Sequence, residues 1–270
     1  MNTNTDTDSA DARSAAAESL IGGSRAVAVS HPADGGSVPR HLGLILDGNR
    51  RWARACGLSA SDGHRAGFSR IPEVLRWCES LGIEVVTLWM LSTDNLKRDP
   101  AEVDALISII ADTVAELTAH GSWRIRHLGV RDAVRQPLLG ILDRAVADTA
   151  AATGLEVNLA VCYGGREEVV DACRSVLAQY EAQGLSASEA AERLSVEAIS
   201  DAIGTGAPKP ELIIRTSGEQ RSSGFMLWSG MHTDYWFTPV FWPDFDQSAL
   251  GEALAHFRRS RSPRLPASVG

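Results

Sequence analysis

The chain is 270 residues long, with 44% hydrophobic, 22% charged and 6% aromatic side chains and a formal net charge of −8. That length suits one α/β domain or two small ones, and the ordinary apolar share excludes wholesale disorder. An acidic chain lacks the basic footprint of a non-specific nucleic-acid binder, so no nucleic-acid partner is expected and an anionic ligand needs a local basic pocket.

No apolar run approaches the roughly 18–20 residues of a membrane span, so at most peripheral membrane contact is expected. The N-terminus lacks a basic start followed by an apolar core, which makes a cytoplasmic location the expectation. The four cysteines (Cys56, Cys78, Cys162, Cys173) show no CxxC and no Cys/His ligand spacing. Cys78, Cys162 and Cys173 sit in apolar contexts and are expected to be buried free thiols.

Residues 1–37, rich in Asp, Thr, Ser, Ala and Gly, read as a disordered leader. Residues 38–260 read as one folded domain, and 261–270, basic and rich in Pro and Ser, as a flexible tail. Within the domain, HLGLILDGN is a buried strand ending at Asp47, followed by a helical stretch over 63–82 in which Pro72 lies near the start or makes a kink. IEVVTLWML (83–91) is a second strand and 100–120 a strongly apolar helix. WRIRHLGV is a third strand, 134–153 a helix, LEVNLAVCYGG a fourth strand and 165–183 a helix. Short helices over 187–194 and 196–203 precede a fifth strand, ELIIRTSGE, and YWFTPVFWPDF leads into a last helix near 246–260. This alternation predicts an α/β fold with a single, mostly parallel central sheet flanked by helices. In such sheets ligands bind beyond the carboxyl ends of the strands.

Four strand ends therefore matter: Asp47-Gly48-Asn49, Ser92-Thr93-Asp94-Asn95, Tyr163-Gly164-Gly165-Arg166, and Arg215-Thr216-Ser217-Gly218-Glu219. After Asp47, a helix start with a close-approaching Gly48 and the charged donors Arg50 and Arg51 favours an anion. A carboxylate amid such donors points to Mg2+ bridging it to a diphosphate. An Asp capping the next helix, with Arg side chains on a solvated face, explains the stretch equally well. LSTDNLKR carries two hydroxyls, a carboxylate, an amide and a basic pair, which a tight turn also accounts for. In IIRTSGEQRSSGF, Arg215, Arg221 and Ser223 converge across a glycine loop as a second diphosphate clamp, with Glu219 placed to hold the arginines, or else form a surface salt-bridge cluster. Of the aromatic stretch after it, Asp234 and Asp244 are the acidic residues, and one of them is a candidate second metal ligand. The absence of GxxxxGK[ST], GxGxxG after a strand, GxSxG, HExxH and DDxxD argues against P-loop, dinucleotide, serine-hydrolase, zincin and all-helical prenyl synthase chemistry.

Taken together, HLGLILDGNRRWAR, GHRAG, LSTDNLKR, NLAVCYGGREEVVDA, and ELIIRTSGEQRSSGFMLW followed by FTPVFWPDF closely resemble the cis-prenyltransferases, the undecaprenyl diphosphate synthase family, from about residue 39 to residue 259. LSTDNL with SGFMLW looks most like the short-chain branch, such as the (2Z,6E)-farnesyl diphosphate synthases of actinobacteria. The resemblance implies a homodimer, an apolar tunnel for the growing chain, and condensation of an allylic diphosphate with isopentenyl diphosphate, releasing pyrophosphate. It assigns Asp47 to Mg2+ and catalysis. It places Gly48, Asn49, Arg50, Arg51, Trp52 and His64 in the allylic diphosphate pocket. Ser92, Thr93, Asp94 and Leu96 fall near the reacting carbons, Asn95 at the proposed proton acceptor, and Arg98 at a further substrate-binding position. Arg215, Arg221, Ser222 and Ser223 match the isopentenyl diphosphate clamp and Asp234 the second Mg2+ position.

Asp234 replaces a usual Glu, Ser229-Gly230-Met231 a usual Gln-x-Ala, Ser222 a usual Leu, and Ala60 an Arg of long-chain members. Because these departures cluster at the diphosphate sites, head-to-middle coupling of two allylic diphosphates to a lavandulyl-type product stands as an alternative. A non-catalytic scaffold subunit is a third reading, which Asp47, Asn95, Arg215 and Arg221 oppose. Met90 shares a face with Leu88 and Ser92 by strand alternation, so its thioether is expected to point into the tunnel and limit product length. Ordinary core packing is the alternative for that side chain.

Overall fold

The computed structural model describes residues 37–204 and 206–262. Its strands are β1 (His41–Ile45), β2 (Val85–Ser92), β3 (Arg124–Leu128), β4 (Glu156–Tyr163), β5 (Leu212–Arg215) and β6 (Asp234–Phe237). They form one sheet in the order β3-β4-β2-β1-β5-β6, and every pairing is parallel. The helices are α1 (Asn49–Ala55), α2 (Ala60–Ser69), α3 (Ile71–Ser80), α4 (Pro100–Ala119), α5 (Leu138–Asp148), α6 (Gly165–Ala182), α7 (Ala187–Arg193), α8 (Val196–Ile203) and α9 (Gln247–Arg261). Apart from residue 37, the expected leader lies outside the described residues, and so does the expected tail beyond 262. Residue 261 belongs to the last helix.

Strand alternation divides the core. Leu42 and Leu44 of β1, Val86 and Leu88 of β2, Val157 and Leu159 of β4, and Leu212 and Ile214 of β5 join the main cluster with α2–α5 and α9. Ile45, Ala160 and Ile213 face the other side, against Tyr163, Phe225 and Met226. Residues buried to this degree contribute roughly 1.5–3 kcal/mol each, so the parallel strands read as near-continuous apolar runs. Through the sheet centre runs a polar chain. His41 Nδ1 lies 2.7 Å from the Pro208 carbonyl and its Nε2 2.8 Å from Thr87 Oγ1, to which Asn158 Nδ2 also donates at 3.1 Å. Burial pushes the His41 imidazole down to about 4.

Four expectations need correction. The stretch over 63–82 is two helices: α2 opens at a Ser59/Asp62 capping box, and α3 restarts with Pro72 in its first turn, where its missing N–H costs nothing. The aromatic stretch contains a sixth strand, β6. Strict alternation also fails near the end of β2. Trp89 pairs with Ala160 but Leu91 with Val161, so Met90 is an extra residue, and a second shift leaves Cys162 of β4 (φ 52°) unpaired before Ser92 meets Tyr163. No disulfide links the cysteines. Cys78 and Cys162 are buried thiols, while Cys173 is only partly buried and Cys56 is exposed.

Candidate active site

The carboxyl ends of β1, β2, β4 and β5 open into a cavity of about 940 Å³, at the upper end of small-molecule pockets. Asp47 stands where β1 gives way to α1. Its backbone is fixed on both sides: the amide donates to Thr216 Oγ1 at 2.9 Å, and the carbonyl accepts from the Trp242 amide at 3.1 Å. Gly48 follows at φ 110°, and a Cβ there would lie 2.7 Å from the Phe241 ring, so only glycine fits this turn.

The Asp47 carboxylate spans two guanidiniums. Arg215 Nη2 donates to Oδ2 at 3.0 Å, and Arg51 Nη2 lies 3.4 Å from Oδ1. Burial pushes the carboxyl up, but the hydrogen bonds from Arg215 and Ser217 and the charges of Arg215 and Arg51 outweigh it and hold the group below the usual carboxylate range. Arg51 is itself fixed by Ser217 Oγ at 2.6 Å, by Glu219 Oε1 at 3.3 Å and by the Phe241 ring face. Arg215 is almost fully buried, and its Nη1 donates to the Arg221 carbonyl at 2.6 Å and to Ser223 Oγ at 2.8 Å. Arg221 pairs with Glu219. One basic cluster thus forms around Asp47 and Glu219.

A second forms around Glu102, in the first turn of α4. Its Oε1 lies 3.0 Å from Arg98 Nη1, 3.7 Å from Arg50 Nε and 3.8 Å from His64 Nε2. Consecutive residues of α1, Arg50 and Arg51, therefore serve different clusters. His64 is buried with neither ring nitrogen hydrogen-bonded. Burial first, then the charges of Arg98 and Arg50, lower its pKa despite the nearby Glu102, so it stays neutral near pH 7.

At the end of β2, Ser92 and Asn95 bond reciprocally. The Ser92 amide donates to Asn95 Oδ1 at 3.1 Å, and the Asn95 amide donates to Ser92 Oγ at 3.0 Å. A tight turn and a cavity wall are built from the same residues. Asp94 and Lys97 pair at 2.7 Å on the exposed rim. Deeper in, Leu46, Phe68, Met90 and Leu106 belong to the main core and also line the cavity. The extra residue in β2 leaves both Trp89 and Met90 along this wall, although they belong to opposite faces of the sheet.

Of the residues singled out from sequence, the cavity brings together Asp47, Gly48, Asn49, Arg50, Arg51, His64, Ser92, Thr93, Asp94, Asn95, Arg98, Arg215, Arg221 and Ser223. Four others fall outside its lining. Trp52 points its indole N–H to Asp244 Oδ1 at 2.8 Å, tying α1 to the turn at 242–244. Leu96 packs on the main core. Ser222 Oγ accepts the Gly224 amide at 3.4 Å. Asp234 begins β6 in register with Leu212, while Arg215 pairs with Phe237. It therefore lies about 10 Å along the strand from the cavity end, bonded to Ser260 at 2.6 Å and near Arg261 at 3.5 Å. Within this chain it cannot share an ion with Asp47. Conversely, Glu102, Arg54, Trp89, Tyr163 and Arg166 were not assigned from sequence. Tyr163-Gly164-Gly165-Arg166 carried the signal of a strand end, whereas Glu102 looked like an ordinary acidic residue in a helix's first turn.

The profile of the prenyltransferase family of undecaprenyl diphosphate synthases matches residues 45–264. "Isoprenyl transferase 1" of Streptomyces avermitilis is 46% identical over 231 residues, covering 84% of this chain and 90% of that protein. A (2Z,6E)-farnesyl diphosphate synthase of Mycolicibacterium smegmatis is 44% identical over 230 residues, covering 82% and 88%. Among solved structures, lavandulyl diphosphate synthase from Lavandula x intermedia, in complex with dimethylallyl diphosphate, superposes with a TM-score of 0.74 at 33% identity, covering 82% of this chain and 95% of that one. With its parallel sheet, strand-end cavity and two basic clusters, the chain belongs to the undecaprenyl diphosphate synthase family of prenyltransferases.

Proposed function

We propose that the protein is a short-chain cis-prenyl diphosphate synthase, joining an allylic diphosphate to isopentenyl diphosphate and releasing pyrophosphate. The observation that carries this reading is the cavity itself: two carboxylate-organised basic clusters beside an apolar wall of Leu46, Phe68, Met90 and Leu106. Two charged heads and an apolar tail need that combination, and holding both heads fixed accounts for much of the rate of a two-substrate reaction. The farnesyl diphosphate synthase relatives support a short product.

In this reading Arg50, Arg98 and His64 hold the allylic diphosphate, and Arg221, Ser223 and Arg215 take that of the acceptor. The allylic C–O bond breaks, and the guanidiniums stabilise the charge gathering on the departing diphosphate. The acceptor's double bond forms the new C–C bond, and the proton it loses passes by way of Asn95, whose Oδ1 is fixed by the Ser92 amide, to the released diphosphate. Among the described residues no group of three or more His, Cys, Asp or Glu is placed to cage a metal. Asp47, a carboxylate held ionised at the cavity edge, nevertheless fits Mg2+, which is commonly held by one carboxylate plus substrate phosphates and water. When bound there the ion would add positive charge to the cavity that takes the two diphosphates.

Two further expectations belong to this proposal. A homodimer is supported by apolar side chains left exposed, with Val196, Leu227 and Met231 at 62%, 47% and 71%. Action away from the bilayer interior is supported by the finding that no described helix is long and apolar enough to cross a membrane. The lavandulyl diphosphate synthase likeness favours, as a second reading, coupling of two allylic diphosphates. Incubation of the purified protein and Mg2+ with dimethylallyl diphosphate, alone and with isopentenyl diphosphate, separates them: linear products support the first and branched products the second.

A further inference from the structure

The loop that carries Arg221 and Ser223 is held in an unfavourable backbone conformation. Ser223 (φ 51°) and Met226 (φ 48°) are both left-handed, and neither is glycine. Such residues persist only where surrounding structure holds them. From one side Arg215 bonds to the Arg221 carbonyl and Ser223 Oγ. From the other, the Met226 amide donates to the Tyr163 hydroxyl at 3.1 Å, and that hydroxyl donates to Glu168 Oε2 at 2.8 Å.

Tyr163 ends β4 and is 1% exposed. Its ring meets Trp89 edge-on at 6.2 Å and Phe225 at 6.0 Å, while Trp89 and Phe225 stack at 5.1 Å, so its position is fixed by packing. Packing does not fix which way its hydroxyl hydrogen points. An acceptor at Glu168 draws that hydrogen away from Met226 and leaves a lone pair facing the Met226 amide. Glu168, in the first turn of α6, is half-buried and forms no ion pair among the described residues. Burial pushes its carboxyl up to about 7. A carboxylate kept without a cation is costly, and among the described residues its one side-chain hydrogen bond is to Tyr163.

We propose that Tyr163 and Glu168 are a positioning pair that sets the 221–227 loop, and with it Arg221 and Ser223, in the arrangement that takes the second diphosphate. This rests on the acceptor assignment proposed above. It is tested by steady-state kinetics on full-length Tyr163→Phe, Glu168→Ala and Glu168→Gln, with thermal melts to confirm folding. Phe and Ala should raise KM for isopentenyl diphosphate about tenfold, the effect of losing one hydrogen bond of about 1.4 kcal/mol. KM for the allylic substrate should move less than about twofold. Gln, whose amide oxygen still accepts from Tyr163, should return the acceptor KM to within about threefold of wild type. An unchanged acceptor KM, or parallel losses in kcat and both KM values, would overturn the pair's role. Should wild-type protein not use isopentenyl diphosphate, the acceptor assignment fails instead. The pair is then read by inorganic pyrophosphate affinity in an Arg98→Ala background, where about tenfold weaker binding in Tyr163→Phe supports it and equal binding overturns it.

Discussion

Arg215 Nη2 donates to Asp47 Oδ2 at 3.0 Å, joining the last residue of β5 to the first loop after β1. These adjacent parallel strands thus present an anion and a cation at one cavity edge, and the guanidinium goes on to bond the Arg221 carbonyl and Ser223. The pair has two consequences. It keeps Asp47 ionised, and it connects the carboxylate to the loop assigned to the second diphosphate.

Asp47→Asn should preserve this hydrogen bond through its amide oxygen and leave the protein folded. Turnover with Mg2+ should fall on the order of a thousandfold, because several kcal/mol of charge stabilisation depend on the carboxylate. Asp47→Ala should lose as much activity and also melt earlier, since it leaves the buried Arg215 charge short of its anion. Near-normal turnover by either variant in excess Mg2+ would remove Asp47 from the mechanism.

Arg221→Ala deletes a charge-assisted partner of a diphosphate, an interaction worth about 1.5–3 kcal/mol. The acceptor's KM should rise by roughly ten- to a hundredfold. A rise confined to the allylic substrate's KM would show that the two clusters are assigned the wrong way round.

Met90→Ala should lengthen the products. The side chain is 5% exposed and lines the cavity beside Phe68 and Leu106, where a shorter one opens space along the apolar wall. Mass spectrometry of dephosphorylated products reads the outcome. An active, folded Met90→Ala enzyme with unchanged products would show that the chain grows past another wall.

Much of this geometry was legible in the sequence, because a buried parallel strand announces itself as an apolar run and its ligands lie just past its carboxyl end. Asp47, Arg215 and the 92–95 turn were found in that way. Position along a strand was harder. Asp234 carried the right chemistry, but only the register Leu212↔Asp234 shows it at the amino end of β6. β6 itself is four half-buried residues within an aromatic run and shows no period-two pattern. Met90 lines the cavity and also packs in the main core, and the alternation used to place it is broken, since a bulge leaves no mark in residue types. Glu102 was missed because what distinguishes it is convergence of Arg50, His64 and Arg98 from other elements.

Acid should unfold the protein through its sheet centre. His41 titrates near 4 when folded and near 6.5 when unfolded, so the unfolded chain binds more protons between those values. Its contribution is fully present above about pH 6.5 and is lost as the pH falls toward 4, by about 3 kcal/mol in total. His64 and His127, also lowered by burial, act in the same direction. Urea melts at pH 7.5, 6 and 5 should show falling stability, with a shallower fall in His41→Gln. Equal slopes in the two proteins would exclude His41 as the source.

The most direct test of the central claim, that one cavity joins an allylic head to an isopentenyl acceptor, is mass and NMR analysis of dephosphorylated products. The purified protein and Mg2+ would be given each pair of five-, ten- and fifteen-carbon diphosphates. A linear ten- or fifteen-carbon alcohol with a cis double bond at the newly added unit, formed only when isopentenyl diphosphate is present, is the predicted result. A branched ten-carbon alcohol from dimethylallyl diphosphate alone, or no product from any pair, would contradict it.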